Sequence, residues 1–415
     1  MEYLDLANQK AFKTNAMEDA KGYFYKAMEI LDTMPDTMEN QEQRISLLVN
    51  QFFIFEQIFQ LPEYYDLLLR YEPLSAEIKN TGMAGGFYSR MGGCELTFGL
   101  FDKAIQSETK AVELCEASGN AEEAGIAFTA LLYCHLYKGD FEQVFALKED
   151  VLRMTAEQFN FLSYVRSFFA ASLAYSYLGR WDEAVAEGQS ALKFAQEYAD
   201  DGLISLAAAS ISLAYIFKGE MDQAIEYGEM AVKKAPTPMY KATAQVALAS
   251  AWCRVGEPLK GIEILDTYVQ IFRAGRFTAG EIVVSTNLAE GYLLAKAYDK
   301  AEQTTMEALD VAERCGTKFF VGRAHRLLGE IALENNFSKS SSHFEKSITI
   351  FKETKAENEL AKAYAGIGRL YKKQGNTVQA QEYLTKSLEI FERLGTLIEP
   401  DKVKKELADL PPDEE

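Results

Sequence analysis

Small and apolar positions along this chain return on a helical spacing, and nowhere is there a sustained two-residue alternation bounded by turn residues, so the pattern predicts helices and no strands. One phrase recurs about every forty residues: a turn residue, usually Gly, then an aromatic or apolar residue, an acidic or amide residue, and a small residue that opens a helix. It reads Gly99-Leu100-Phe101-Asp102-Lys103-Ala104, Gly139-Asp140-Phe141-Glu142-Gln143-Val144, Gly179-Arg180-Trp181-Asp182-Glu183-Ala184 and Gly219-Glu220-Met221-Asp222-Gln223-Ala224, with weaker copies anchored at Ala20, Tyr64, Gly261, Ala301, Ser340 and Ala380. Two helical turns after the anchor a second small residue often follows, as at Ala27, Ala111, Ala191, Ala231, Ala308, Ser347 and Ser387. The pair makes a flat stripe where a neighbouring helix can approach. Before the anchor stands a ring (Tyr175, Tyr215, Trp252, Tyr292, Tyr371), placed to fill the space between the two helices of one unit. Each repeat therefore reads as a helix hairpin.

Boundary residues agree with that division. Asn120 with Glu123 has capping-box spacing, and Thr237-Pro238 and Glu257-Pro258 place proline at the first helical position. Ten hairpins cover residues 1–400, and residues 401–415 form a capping segment with an acidic tail after Pro411-Pro412. The two prolines in 233–238 mark either a structural turn or a hinge.

Leu288-Ala289 with Tyr292, Ala301 and Ala308, and Gly368 with Tyr371 and Ala380, resemble the tetratricopeptide repeat, here longer than the usual repeat of about 34 residues. The resemblance implies an all-α superhelix of stacked hairpins whose first helices line a concave inner face.

With 62 acidic against 43 basic residues and a net charge of -19, the chain lacks the basic surface that nucleic acid or anionic lipid requires. Charges interrupt the first twenty residues, and no uninterrupted run of eighteen apolar residues occurs, so neither a signal peptide nor a membrane span is expected and the cytoplasm is the expected compartment. The five cysteines, Cys94, Cys115, Cys134, Cys253 and Cys315, form no CxxC pair and read as reduced, buried thiols.

Catalytic and metal-binding residues are expected to be absent, and no cofactor is implied. No phosphate-binding GxxxxGK[ST] loop is present. His135 occupies a packing slot, while His325 and His343 lie at a spacing that does not suit one helical face. Cys134 and His135 are adjacent on a helix and point apart. Carboxylate pairs read as solvated faces, none in an apolar setting that would raise its pKa.

Charge is unevenly distributed: Lys318 to Lys405 carries sixteen basic and eleven acidic residues, a net of +5 against the acidic remainder. Lys362, Arg369, Lys372 and Lys373 in the tenth unit, with Arg323 and Arg326 in the ninth, take inward offsets and form a candidate basic groove for an acidic peptide, a carboxylate or a phosphate, with a solvated face as the other reading. The same offsets in the middle units give Tyr133, Tyr137, Phe169, Tyr177, Leu213 and Phe217, which are either groove anchors for a peptide or core. Asn287 is an inward residue able to bond a peptide backbone.

The phrases Leu61-Pro62-Glu63-Tyr64-Tyr65, Gly179-Arg180-Trp181-Asp182-Glu183-Ala184, His325-Arg326-Leu327-Leu328-Gly329-Glu330 and Gly395-Thr396-Leu397-Ile398-Glu399-Pro400 resemble the C-terminal repeat region of bacterial class III adenylate or guanylate cyclase proteins that also carry an AAA-type or STAND-type ATPase domain. That resemblance implies the interaction or sensor part of a signalling system. The expected function is a non-enzymatic scaffold holding a protein or peptide in its groove; the alternative is a receptor whose superhelical pitch changes when a small ligand or signalling peptide binds.

Overall fold

The anchors of the repeat are where packing starts: Ala20, Tyr64, Ala104, Val144, Ala184, Ala224, Ala301, Ser340 and Ala380 are fully buried. So are the second small residues Ala111, Ala191, Ala231, Ser347 and Ser387, which let neighbouring helices approach closely.

The structure, a computed structural model, describes residues 2–75, 77–335 and 339–411. The first hairpin is α1 (Glu2–Lys13) with α2 (Met17–Thr33); the second is a broken leading helix, α3 (Met38–Val49) and α4 (Phe52–Gln57), with α5 (Leu61–Ser75). Next come α6 (Thr81–Thr97) with α7 (Phe101–Ser118), α8 (Ala121–Lys138) with α9 (Phe141–Glu157), and α10 (Phe161–Leu178) with α11 (Trp181–Glu197). They are followed by α12 (Asp201–Lys218) with α13 (Met221–Lys234), α14 (Pro238–Val255) with α15 (Pro258–Ala274), and α16 (Thr278–Leu294) with α17 (Tyr298–Cys315). The series ends with α18 (Lys318–Asn335) and α19 (Ser340–Glu353), α20 (Glu357–Lys373) and α21 (Thr377–Leu394), and a terminal helix α22 (Glu399–Ala408). The terminal helix begins two residues before the expected cap, buries Val403 and packs on α21; the tail at 412–415 lies outside the described residues.

Turn chemistry follows the sequence in part: Asn120 caps α8, but the Glu123 side chain accepts from Arg90 and does not close the expected box. The side chains of Asn80, Asn120, Asn160, Asp200 and Asn376 each accept a hydrogen bond from a backbone N–H in the first turn of the helix that follows, as N-caps do. Thr237 does not cap α14. Its hydroxyl instead donates to the side-chain carbonyl of Gln57 on α4, which ties the proline-bearing 235–237 turn to a helix of the second hairpin.

The superhelix closes on itself. Leading helices five hairpins apart meet, α4 with α14, α6 with α16, α8 with α18 and α10 with α20, so a second turn stacks on the first. A seam of turns joins them. Gly99, Gly139, Gly179 and Gly219 hold φ of +74°, +82°, +81° and +99°, and a Cβ there would approach Cys315, Thr354, Leu394 and Leu397 respectively. Glycine supplies both the left-handed conformation and the close approach. The Leu397 amide also donates to the Lys218 carbonyl at 2.7 Å.

One helix among the described residues, α12, is long and apolar enough by composition to cross a membrane, although Ser205, Ser210 and Ser212 interrupt its apolar run. It contacts α10, α11, α13 and α14, and 78% of it is buried, so its apolar surface serves the core of the solenoid.

Candidate functional site

Leading helices that meet across the superhelix axis leave a cavity of about 280 Å³ between the two turns. All six residues of the expected apolar groove line it: Tyr133 and Tyr137 from α8, Phe169 and Tyr177 from α10, Leu213 and Phe217 from α12. They are wall and core together. Tyr177 stacks on Phe319 at 4.1 Å and meets Phe217 edge to face at 5.5 Å, while Tyr137 stacks on Phe101 at 5.3 Å. The rings are thus held by packing while they face the chamber, which lowers the ordering cost of binding.

Charged groups also line the chamber. Arg166 on α10 donates to Glu56 on α4 at 2.7 Å. On the second turn, Arg254 Nη2 donates to both carboxylate oxygens of Glu290 at 3.0 and 2.9 Å, and Arg323 Nη2 donates to Glu290 Oε2 at 2.9 Å. Asn287 neither stands free nor faces outward: its Oδ1 accepts from Arg323 at 3.2 Å and its Nδ2 donates to Ser250 at 3.1 Å. Burial alone would push the Glu290 carboxyl up, but Arg254, Arg323 and Arg326 hold it well below the usual carboxylate range.

The expected basic groove is distributed differently from the sequence reading. Of its six cations, Arg323 alone lines the chamber. Arg326 is buried behind it and bonds Glu359 at 2.8 Å and Glu330 at 2.7 Å. Lys362 bonds Glu359 at 2.7 Å. Arg369 is paired with Glu406 on α22 at 2.9 Å, with Lys372 beside it on the Glu406 carbonyl. Lys373 donates to the Leu333 carbonyl at 2.6 Å. The local excess of basic residues is therefore taken up by acids of the same and neighbouring hairpins and by carbonyls near helix C-termini, from the buried Arg326 to Lys373, whose side chain stays 43% exposed.

One contact and one buried acid lie outside what spacing along a helix reveals. His325 and His343 do not share a helix face, yet the α18–α19 hairpin brings their Nδ1 atoms to 3.1 Å. Burial and the second imidazole lower the pKa of His325 to about 4. No third metal-ligating side chain joins them among the described residues. Glu108, expected on a solvated face, is fully buried, neither oxygen has a hydrogen-bond partner, and burial raises its pKa well above the carboxylate range. The repeat gave only a weak signal: the slot of Glu108 takes Leu265, Phe344 and Leu384 in some later units but Lys148, Gly188, Gly228 and Thr305 in others.

Stacked helix hairpins, small-residue anchors and an axial chamber define a tetratricopeptide-like α-solenoid. The tetratricopeptide repeat family model matches residues 320–393. No curated protein matches this chain in sequence. Among solved structures, a monomeric IFIT1 mutant with m7Gppp-AAAA is 17% identical, with 92% of this chain and 87% of that one covered at a TM-score of 0.52. A Rap protein complexed with Competence and Sporulation Factor is 13% identical over 99% of this chain and 100% of that one, TM-score 0.51. The Cut9–Hcn1 hetero-tetramer of APC/C gives 13%, 98%, 89% and 0.51. At these identities the likeness is one of fold.

Proposed function

We propose that this chain is a non-catalytic binding scaffold that takes a short, largely apolar segment of a peptide or protein into its axial chamber. The observation that carries the reading is the convergence of six apolar residues from three successive leading helices on one cavity. Its volume lies near the lower end, roughly 300 Å³, of the usual range for small-ligand sites. That size suits a few residues of a peptide and no folded domain. The charged groups that line it are tied into ion pairs, which suits recognition better than proton transfer.

A second reading, a receptor that responds to its ligand, is favoured by the position of the chamber. Its walls come from both turns, α8, α10 and α12 on one side and α16 and α18 on the other. An occupant touches both, so its binding energy bears on how closely the turns approach. The Rap protein with the same fold is complexed with Competence and Sporulation Factor, which accords with a signalling role. Attachment to a cyclase and ATPase system rests on the resemblance of the repeat phrases, and the reading frame upstream of the gene would test it.

The chamber reading is tested with a synthetic pool of random tetrapeptides with free termini, passed with the protein over a sizing column and read by mass spectrometry. Wild type should retain a subset rich in apolar residues, and Leu213→Trp, which fills the chamber, should lose it. Equal retention by the variant, at equal helical circular dichroism, would place binding elsewhere.

A further inference from the structure

The charged groups of the chamber are not equivalent. Arg166 and Glu56 match one to one. On the second turn two guanidiniums, Arg254 and Arg323, line the chamber with a single carboxylate, Glu290, between them. The ion-paired cluster extends to Arg326 and Lys362, with Glu330 and Glu359, and comes to four cations against three carboxylates. Arg323 is 2% exposed and its Nε–H has no acceptor, although the rest of its fork is bound to Glu290 and Asn287. A buried guanidinium in a cluster one negative charge short thus forms part of the wall of a largely apolar cavity, with Arg254 beside it. Buried cations of this kind call for a fixed anion, and the planar fork suits a carboxylate.

We infer that the Arg254–Arg323 side of the chamber binds a carboxylate carried on an apolar body, the carboxylate completing the charge of the cluster while the body lies among Tyr177, Leu213 and Phe217. Arg254 and Arg323 each have their ring-facing side near Phe217, with guanidinium carbons 5.7 and 5.9 Å from its centroid. One aromatic therefore orients both cations and also forms part of the wall against which the ligand body would lie. The inference rests on the chamber reading above and adds the chemical class of what enters. Two sources share that chemistry: the C-terminus of a peptide and a free organic acid.

The test compares two synthetic tetrapeptide pools, one ending in free acid and the other in amide, on wild type, Arg323→Gln and Arg323→Lys. Wild type should retain the acid pool about tenfold better than the amide pool, since only the acid supplies the negative charge the cluster lacks. Arg323→Gln should bring the ratio to about one, and Arg323→Lys should restore part of it. The wild-type comparison needs no variant and stands even if Arg323→Gln folds poorly. If wild type retains both pools equally, the carboxylate inference falls while the chamber stands; if it retains neither pool, both fall. A competition arm with 4-phenylbutyrate separates the sources: displacement of the acid pool assigns the site to free acids, and failure to displace it assigns the site to peptide C-termini.

Discussion

Tyr177 lies face to face with Phe319, ring centroids 4.1 Å apart and planes 24° from parallel, although one belongs to α10 on the first turn and the other to α18 on the second. Phe319 is fully buried and also meets Phe141 and Phe351. It is a wedge between the turns.

Truncating this wedge should open the seam as well as leave a void. Phe319→Ala is expected to cost about 3–5 kcal/mol in urea unfolding, with faster amide exchange in both α10 and α18. A cost under about 1 kcal/mol, with exchange changed in α18 alone, would show that the turns are held together elsewhere.

Two glycines separate backbone strain from inter-turn contact. Gly119 and Gly219 both hold positive φ, 71° and 99°, but a Cβ on Gly119 meets open space whereas one on Gly219 falls 2.7 Å from the Leu397 carbonyl oxygen. Gly119→Ala should therefore cost about 1–2 kcal/mol, the left-handed penalty alone. Gly219→Ala should cost more and should speed exchange of the Leu397 amide, whose acceptor is the Lys218 carbonyl. Equal losses in the two variants would count against a tight seam.

Glu290 serves three guanidiniums, whereas Glu357 pairs with Arg393 at a surface where both side chains are 40% or more exposed. Glu290→Gln leaves buried cations uncompensated and should cost about 3–5 kcal/mol, largely independent of salt. Glu357→Gln should cost less than about 1 kcal/mol, vanishing at high salt. Comparable losses would mean that the Glu290 cluster is wetter than its burial indicates.

Glu108 gives a pH-dependent prediction. Its folded pKa is raised by burial, while in the unfolded chain it ionises near about 4.3. Above that pH the folded state holds a proton the unfolded state has released, so this group's contribution to stability is intact at low pH and declines as pH rises. Glu108→Leu, the residue found at the equivalent positions 265 and 384, should raise the melting temperature, and by more at pH 8 than at pH 5. A pH-independent gain would assign the effect to packing alone, and a loss would show the carboxyl to be needed.

The helical content, the hairpin period and the anchors from Ala104 to Ala380 were legible because they are local: each rests on residues within about two helical turns, where spacing decides which face a side chain takes. The inward offsets of Tyr133 and Leu213 could be read for the same reason, although Arg369, at the same offset in the last unit, pairs with Glu406 and does not line the chamber. The partners of those positions could not. Whether Arg326 would meet solvent or Glu359, whether His325 would meet His343, and whether Glu108 would meet water all depend on elements joined through turns whose angles no short motif specifies.

By itself, then, the sequence determined a ladder of hairpins and, in the middle units, the side of the leading helices that faces inward. The tertiary structure alone decided that the ladder closes on itself five hairpins on, turning an open groove into a chamber and a basic stripe into paired cations, buried at Arg323 and Arg326 and partly exposed at Arg369 and Lys373. The physical reason is accumulation: small rotations between successive hairpins add up over the whole chain, and only their sum brings α8 against α18 and the Leu397 amide against the Lys218 carbonyl.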